Sequence, residues 1–292
     1  MTLGRLATLP RIMLAPNGAR RSKTDHPALP VTIAEIVEAA RTSHAAGAGA
    51  LHAHVRDMTG AHVLDAGLYG ELIAEMARVV PAMPVQITTE AAGRYAPPAQ
   101  RALLDRLRPE GVSVALAEML SDGDTTAARR FYHGLAAAGV AVQHILYRPN
   151  EVQALAAEIA RGTIPRAGLQ CLFVLGRHSA GQVSDPADLA EFVTALAGLP
   201  EPADWAACAF GPTETSCLAA AFAAGGKARV GFENSLWNAD GSLARDNAER
   251  VAEIAALPGS GCKLAIRHRL RAGEVGNGEN PTQFGHTPHS AG

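Results

Sequence analysis

With 292 residues, 48% of them hydrophobic and 18% charged, the chain can bury a large core as one large domain or two small ones. No run reaches the roughly eighteen apolar residues of a membrane span, and the start Met1-Thr2-Leu3-Gly4-Arg5 lacks a continuous apolar signal core. On those two grounds the chain reads as soluble and cytoplasmic, and a net charge of −2 with interspersed signs leaves no basic footprint for nucleic acid.

Short apolar or β-branched runs alternate with Ala-rich helical stretches along the whole chain, the pattern of βα units around a parallel sheet. The spacing predicts strands at 11–15, 50–55, 85–89, 112–116, 140–146, 169–175, 205–210 and 228–232. Helices are expected at 32–46, 66–79, 98–107, 125–138, 151–161, 186–197, 214–224 and 245–256. Thr32 with Glu35 forms a capping-box signature, Asp185-Pro186 starts a helix, and Gly111, Gly139 and the Gly225-Gly226 pair fall where helices should stop. Strand and helix alternating in this way over about 250 residues without a linker match a single-domain (β/α)8 TIM barrel, residues 1–258. Residues 259–292, rich in Gly, Pro, His and Arg, read as an irregular C-terminal extension. Cys171, Cys208, Cys217 and Cys262 show no CxxC spacing and read as reduced core thiols.

A barrel of this kind carries its active site at the C-terminal ends of its strands. Asn17 and Arg20 follow the first; His52, His54, Arg56 and Asp57 end the second; Thr88, Thr89 and Glu90 end the third. Glu118 follows the fourth, Tyr147 and Arg148 the fifth, Arg177 and His178 the sixth, and Arg229, Glu233 and Asn234 lie on or after the eighth. Histidines at i and i+2 of a strand project from one face with Cα atoms about 6.5 Å apart, a spacing that can grip one metal ion. Glu233 is the best third ligand, leaving a fourth position open as catalytic zinc sites do. Imidazole and carboxylate suit Zn2+, with Mn2+, Fe2+ or Co2+ as alternatives. Blander accounts exist for each: a hydrogen-bonded pair of interior histidines, an ion pair of Glu233 with Arg229, and pairing of Glu90 and Glu118 with Arg94, Arg148 or Arg177. No GxSxG, Walker or HExxH motif occurs.

Several stretches resemble the β-keto acid cleavage enzymes, whose founding activity is 3-keto-5-aminohexanoate cleavage. They are Asn17-Gly18-Ala19 with residues 26–32, His52-Ala53-His54-Val55-Arg56-Asp57, Gln86-Ile87-Thr88-Thr89, Phe173-Val174-Leu175-Gly176, and Arg229-Val230-Gly231-Phe232-Glu233-Asn234 with Asn247-Ala248. The resemblance implies zinc held by His52, His54 and Glu233, and reaction of a small-molecule β-keto acid with acetyl-CoA. Acetoacetate and a new acyl-CoA would form through an enolate and retro-Claisen cleavage, in a homotetramer. It also implies that Arg229 orients a catalytic carboxylate and supplies positive charge near the metal, and that Thr88 contacts substrate; Asn17, Arg20 and Arg177 are further substrate-binding candidates by their places at strand ends.

Two departures stand out. The family's amine-binding glutamate corresponds to Arg20, which would repel an ammonium and attract a carboxylate. The family's aspartate after the ligand glutamate, a proposed base, corresponds to Asn234, and a carboxamide accepts no proton near neutral pH. Glu90 and Glu118 are therefore the candidate bases. Arg177-His178 replaces a glycine-rich segment of the family. Alternatives are another metal-dependent TIM-barrel lyase or hydrolase, and a catalytically drifted barrel that binds a metal or ligand.

Overall fold

The structure, a computed structural model, describes residues 4–261. In chain order it runs β1 (Ile12–Leu14), α1 (Ile33–Ala45), β2 (Ala50–Ala53), α2 (Ala66–Val79), β3 (Val85–Thr88) and α3 (Pro97–Arg106). Next come β4 (Gly111–Ala115), α4 (Leu116–Met119), α5 (Thr125–Ala137), β5 (Ala141–Leu146), α6 (Pro149–Ala160) and β6 (Gln170–Leu175). The last group is α7 (Leu189–Ala195), β7 (Asp204–Ala209), α8 (Glu214–Ala223), β8 (Lys227–Val230) and α9 (Asn247–Ala255). All strand pairs are parallel, and β8 closes onto β1 through Ile12 opposite Ala228 and Leu14 opposite Val230. The expected eightfold barrel is therefore present.

Alternation along the strands divides the core in two. Leu51, Ile87, Val112, Phe173 and Val230 belong to an outer layer packed with helix residues such as Ile36, Leu72 and Leu218. Met13, Ala50, Ala115, Ile145, Leu172, Val174, Ala206 and Cys208 fill the lumen. The inward positions between them are polar: His52, Gln86, Thr88, Ser113, Gln143 and Arg229 are all buried. At the floor, Leu6 enters the barrel from the segment preceding β1, and Gln170 Nε2 donates to its carbonyl at 2.7 Å. A Cβ on Gly111 would lie 2.7 Å from Leu6 Cδ1. Gly111 thus makes room for this plug as the first residue of β4, rather than stopping a helix as its position had suggested.

The Thr32–Glu35 capping box forms as expected. Asp65, Asp124 and Asp246 cap α2, α5 and α9 by accepting backbone N–H groups. The predicted helix 186–197 is instead α7 flanked by single 3₁₀ turns, Pro186–Asp188 and Leu196–Gly198. Two strand ends also differ from the sequence reading, since β2 stops at Ala53 and β8 at Val230, so that His54 and Glu233 lie just past regular pairing. After β8 the chain turns at Gly231, whose φ of 141° suits glycine and whose Cβ would run into Ala15. Asn247 Oδ1 accepts the Phe232 N–H at 2.9 Å, and the Glu233 N–H bonds Ala15 O at 3.1 Å. That turn aims the Glu233 side chain back over the barrel mouth.

Cys171, Cys208 and Cys217 are free and buried; Cys262 and the extension beyond Gly261 lie outside the described residues. Among the described residues, no helix is long and apolar enough to cross a membrane.

His144 faces outward from β5 against Tyr132, and burial pushes its imidazole down to about 4. The unfolded chain binds this proton near 6.5, whereas the folded chain resists it until about 4. Stability is therefore complete above 6.5 and falls as pH drops toward 4, by about 3 kcal/mol from this group. Urea denaturation between about pH 7 and pH 4 should show this loss, and His144→Leu should reduce its slope.

Candidate active site

His52 points into the lumen from β2, opposite Gln86 of β3 in the strand register. Its Nδ1 bonds Gln86 Oε1 at 2.9 Å, and its Nε2 lies 3.2 Å from His54 Nε2. Glu233 completes a triangle, with Oε2 3.5 Å from His52 Nε2 and Oε1 3.7 Å from His54 Nε2. Tetrahedral coordination with metal–ligand bonds of about 2.0–2.1 Å separates ligand atoms by roughly 3.3 Å. These three residues therefore fit a divalent ion. His54 Nδ1 and Glu233 Oε2 are buried without a hydrogen-bond partner among the described residues.

The electrostatics suit the same purpose. Burial pushes the Glu233 carboxyl upward, but the Arg229 guanidinium, 3.1 Å away, and the two imidazoles outweigh it and hold the group well below the usual carboxylate range. Burial, aided by the Arg229 charge, holds His52 well below the ordinary imidazole value. One ligand is thus ionised and another neutral, the forms a metal requires. Arg229 keeps Nε and Nη1 buried without a partner among the described residues, facing the same lumen.

The loop after β1 builds one wall. Asn17 clamps the backbone of His54, donating from Nδ2 to its carbonyl at 2.9 Å and accepting its N–H at 3.3 Å. Gly18 has φ +64°, and a Cβ there would lie 2.6 Å from Glu233 Cγ. The Arg56 guanidinium holds this loop through the carbonyls of Gly18 and Arg21. The resulting cleft encloses about 660 Å³, counting the solvent at its open mouth. Its lining includes Asn17, Arg20, His52, His54, Thr88, Glu90, Tyr147, Arg177, Arg229 and Glu233.

The two carboxylates expected as bases part company. Glu90 lines the cleft, where Oε1 accepts from Arg20 at 2.6 Å and Oε2 lies 3.8 Å from His54 Nδ1. Glu118 does not line it, because α4 begins directly at the end of β4 and turns the carboxylate to Ala91 N at 2.9 Å and Gln100 Nε2 at 3.1 Å. Asn234 is fully buried beneath the mouth and outside the lining; its carbonyl accepts from Arg21 while its amide atoms have no partner among the described residues. Arg20, expected to meet substrate, is neutralised by Glu90. Arg177 lies 5.1 Å from the Phe210 ring centroid and has no carboxylate partner among the described residues. Sequence reading missed Arg21, Phe210 and Gln182, which also line the cleft, and Gln86 beneath it. Gln86 had a signal: it shares inward parity with Thr88 on a strand next to His52.

Fold and cleft together define a (β/α)8 barrel in which three convergent side chains have a spacing that fits a divalent ion. The chain belongs to the beta-keto acid cleavage enzyme family, whose sequence profile matches residues 11–265. It is similar to the 3-keto-5-aminohexanoate cleavage enzyme of Fusobacterium nucleatum subsp. nucleatum, 25% identical over 246 residues that cover 82% of this chain and 88% of that protein. The 3-oxoadipate:acetyl-CoA acetyltransferase of Cupriavidus necator is 27% identical over 252 residues, 84% of this chain and 87% of that one. Among solved structures, the complex of ObcA with oxaloacetate matches with a TM-score of 0.58 at 17% identity, over 77% of this chain and 62% of that chain. A type I 3-dehydroquinate dehydratase from Clostridium difficile matches with a TM-score of 0.56 at 8% identity, over 88% of this chain and 93% of that one. These structures share the barrel fold.

His52→Ala removes one of three ligands and should leave the purified protein without bound metal by elemental analysis. Gly18→Ala keeps all three ligand residues but pushes the Glu233 side chain aside, so metal affinity should fall by about 10–100-fold, with a stability cost of about 1–2 kcal/mol from the left-handed backbone.

Proposed function

We propose that the protein is a divalent-metal enzyme, zinc being the ion favoured by its two imidazoles and one carboxylate, that cleaves a β-keto acid with acetyl-CoA as acceptor. The substrate carbon between keto and carboxylate groups loses a proton, attacks the acetyl carbonyl and releases CoA thiolate. The thiolate adds to the substrate's keto carbon, the carbon–carbon bond breaks, and protonation yields acetoacetate beside a new acyl-CoA. The observation that carries this reading is the convergence of His52, His54 and Glu233 in a cation-rich cleft, in a chain of this family. The acetyl-CoA named for the Cupriavidus relative supports the acceptor.

An ion held by the three ligands would supply Lewis acidity toward the two oxygens of a β-keto acid. Arg229 adds fixed positive charge, with two unpartnered nitrogens available to a developing enolate oxygen. We assign proton removal to Glu90, because it and Glu233 are the carboxylates in the lining, and Glu90 Oε2 accepts no hydrogen bond among the described residues. Asn17 and Thr88 orient the reacting end, and Arg20 restrains Glu90. The unpaired guanidinium of Arg177 suits a substrate whose far end carries a second anionic group.

Incubating the protein with acetyl-CoA and a panel of β-keto acids should produce acetoacetate and new CoA thioesters. Keto acid consumption without acetyl-CoA would favour another barrel lyase or hydrolase, and no turnover on any substrate a drifted binding protein. Glu90→Gln should keep its metal and lose about 10²–10⁴ in rate. Arg177→Gln should raise KM about tenfold for keto acids that end in carboxylate, while leaving alkyl-ended ones little changed.

A further inference from the structure

Beneath the cleft, three buried side chains form a line of hydrogen bonds that ends on the backbone. His52 Nδ1 meets Gln86 Oε1 at 2.9 Å, Gln86 Nε2 meets Gln143 Oε1 at 3.1 Å, and Gln143 Nε2 meets the Cys171 carbonyl at 3.4 Å. Each of the three side chains belongs to a residue 1% exposed, so water does not compete for these groups. Their meeting across β4 requires space, which the inward positions Gly111 and Ser113 provide beside Gln86 and Gln143 in the register.

The line has one permitted direction. A backbone carbonyl can only accept, so the atom of Gln143 facing Cys171 must be its NH2, leaving Oε1 to face Gln86. Gln86 must then present its NH2 to Gln143 and its oxygen to His52. An oxygen there requires a proton on His52 Nδ1, leaving the lone pair on Nε2, the atom that faces His54 and Glu233. Turning either amide over would set two acceptors, or two donors, against each other in a dry interior, a cost of about 1–3 kcal/mol.

We propose that Gln86 and Gln143 are positioning residues that fix the His52 tautomer, with the β6 backbone as the reference that sets its direction. The inference rests on reading His52 as a metal ligand for its purpose, but the tautomer itself does not depend on a bound ion. Neutral imidazole in water favours the proton on Nε2, so the protein reverses the solution preference before any metal arrives. His54 is held differently: its Nδ1 has no hydrogen-bond partner among the described residues and faces Glu90 at 3.8 Å.

Long-range proton–nitrogen spectra of the full-length protein labelled with 15N-histidine read the tautomer directly, in chelator-treated and zinc-loaded samples. His52 should carry its proton on Nδ1 in both. A proton on Nε2 in the metal-free native protein would overturn the proposal, and this measurement requires no variant. In the metal-free form, Gln86→Met should move the proton to Nε2, and Gln143→Met should give a mixture. Competition with a chromogenic chelator should show zinc affinity reduced by about 10–100-fold in Gln86→Met, and by less in Gln143→Met. Zinc affinity of a folded Gln86→Met within about twofold of native would also overturn it. A native protein that binds no zinc yet shows the Nδ1 proton would remove the metal reading and leave the tautomer assignment standing.

Discussion

The pairing of β8 with β1 is the constraint on which the site depends. His52 and His54 leave the second strand, Glu233 follows the last, and nothing local in the chain brings them together. Closing the sheet does so, because the strand that starts the barrel becomes the neighbour of both. The turn at Gly231 then supplies the remaining displacement, held by Asn247 and by the carbonyl of Ala15. The triangle of His52, His54 and Glu233 is thus a product of ring closure plus one glycine turn, and the long sequence separation between its members follows from the topology.

Charge is distributed in that ring so that few groups are left uncompensated. Arg229 and Glu233 hold each other across one wall, Arg20 and Glu90 across another, and Arg21 spends its guanidinium on the carbonyls of Phe232 and Asn234. Buried ion pairs are costly to assemble and costlier to break singly. Here the Arg229 guanidinium and the two imidazoles keep Glu233 ionised against the burial that pushes its carboxyl upward. The exception is Arg177, whose charge lies over the Phe210 ring instead of against a carboxylate. A mouth arranged in this way has its demand for an anion concentrated on one side.

Much of the architecture was legible because both periodicities are strong: apolar runs at strand length alternate with amphipathic stretches, and Thr32, Gly139 and Gly225 mark helix ends where expected. The histidine pair was legible because i, i+2 spacing has one geometric meaning on a strand, and Glu233 because it ended another. What the sequence concealed was the fate of polar groups whose partners lie far along the chain. Glu118 and Glu90 occupy equivalent strand ends, yet the four-residue α4, too short to leave a periodic signal, turns one away from the cleft. Arg20 and Glu90 are separated by 70 positions, so no local pattern announced that they neutralise each other. Gln86 and Gln143 look like ordinary strand residues until the closed sheet places both inside it.

The plug at Leu6 gives the barrel a further property. With Leu6 filling the space beside Gly111 and its carbonyl tied to Gln170, the floor of the lumen is plugged among the described residues. Among the described residues, the approach to the histidines is therefore from the mouth, where the strand ends and their loops lie.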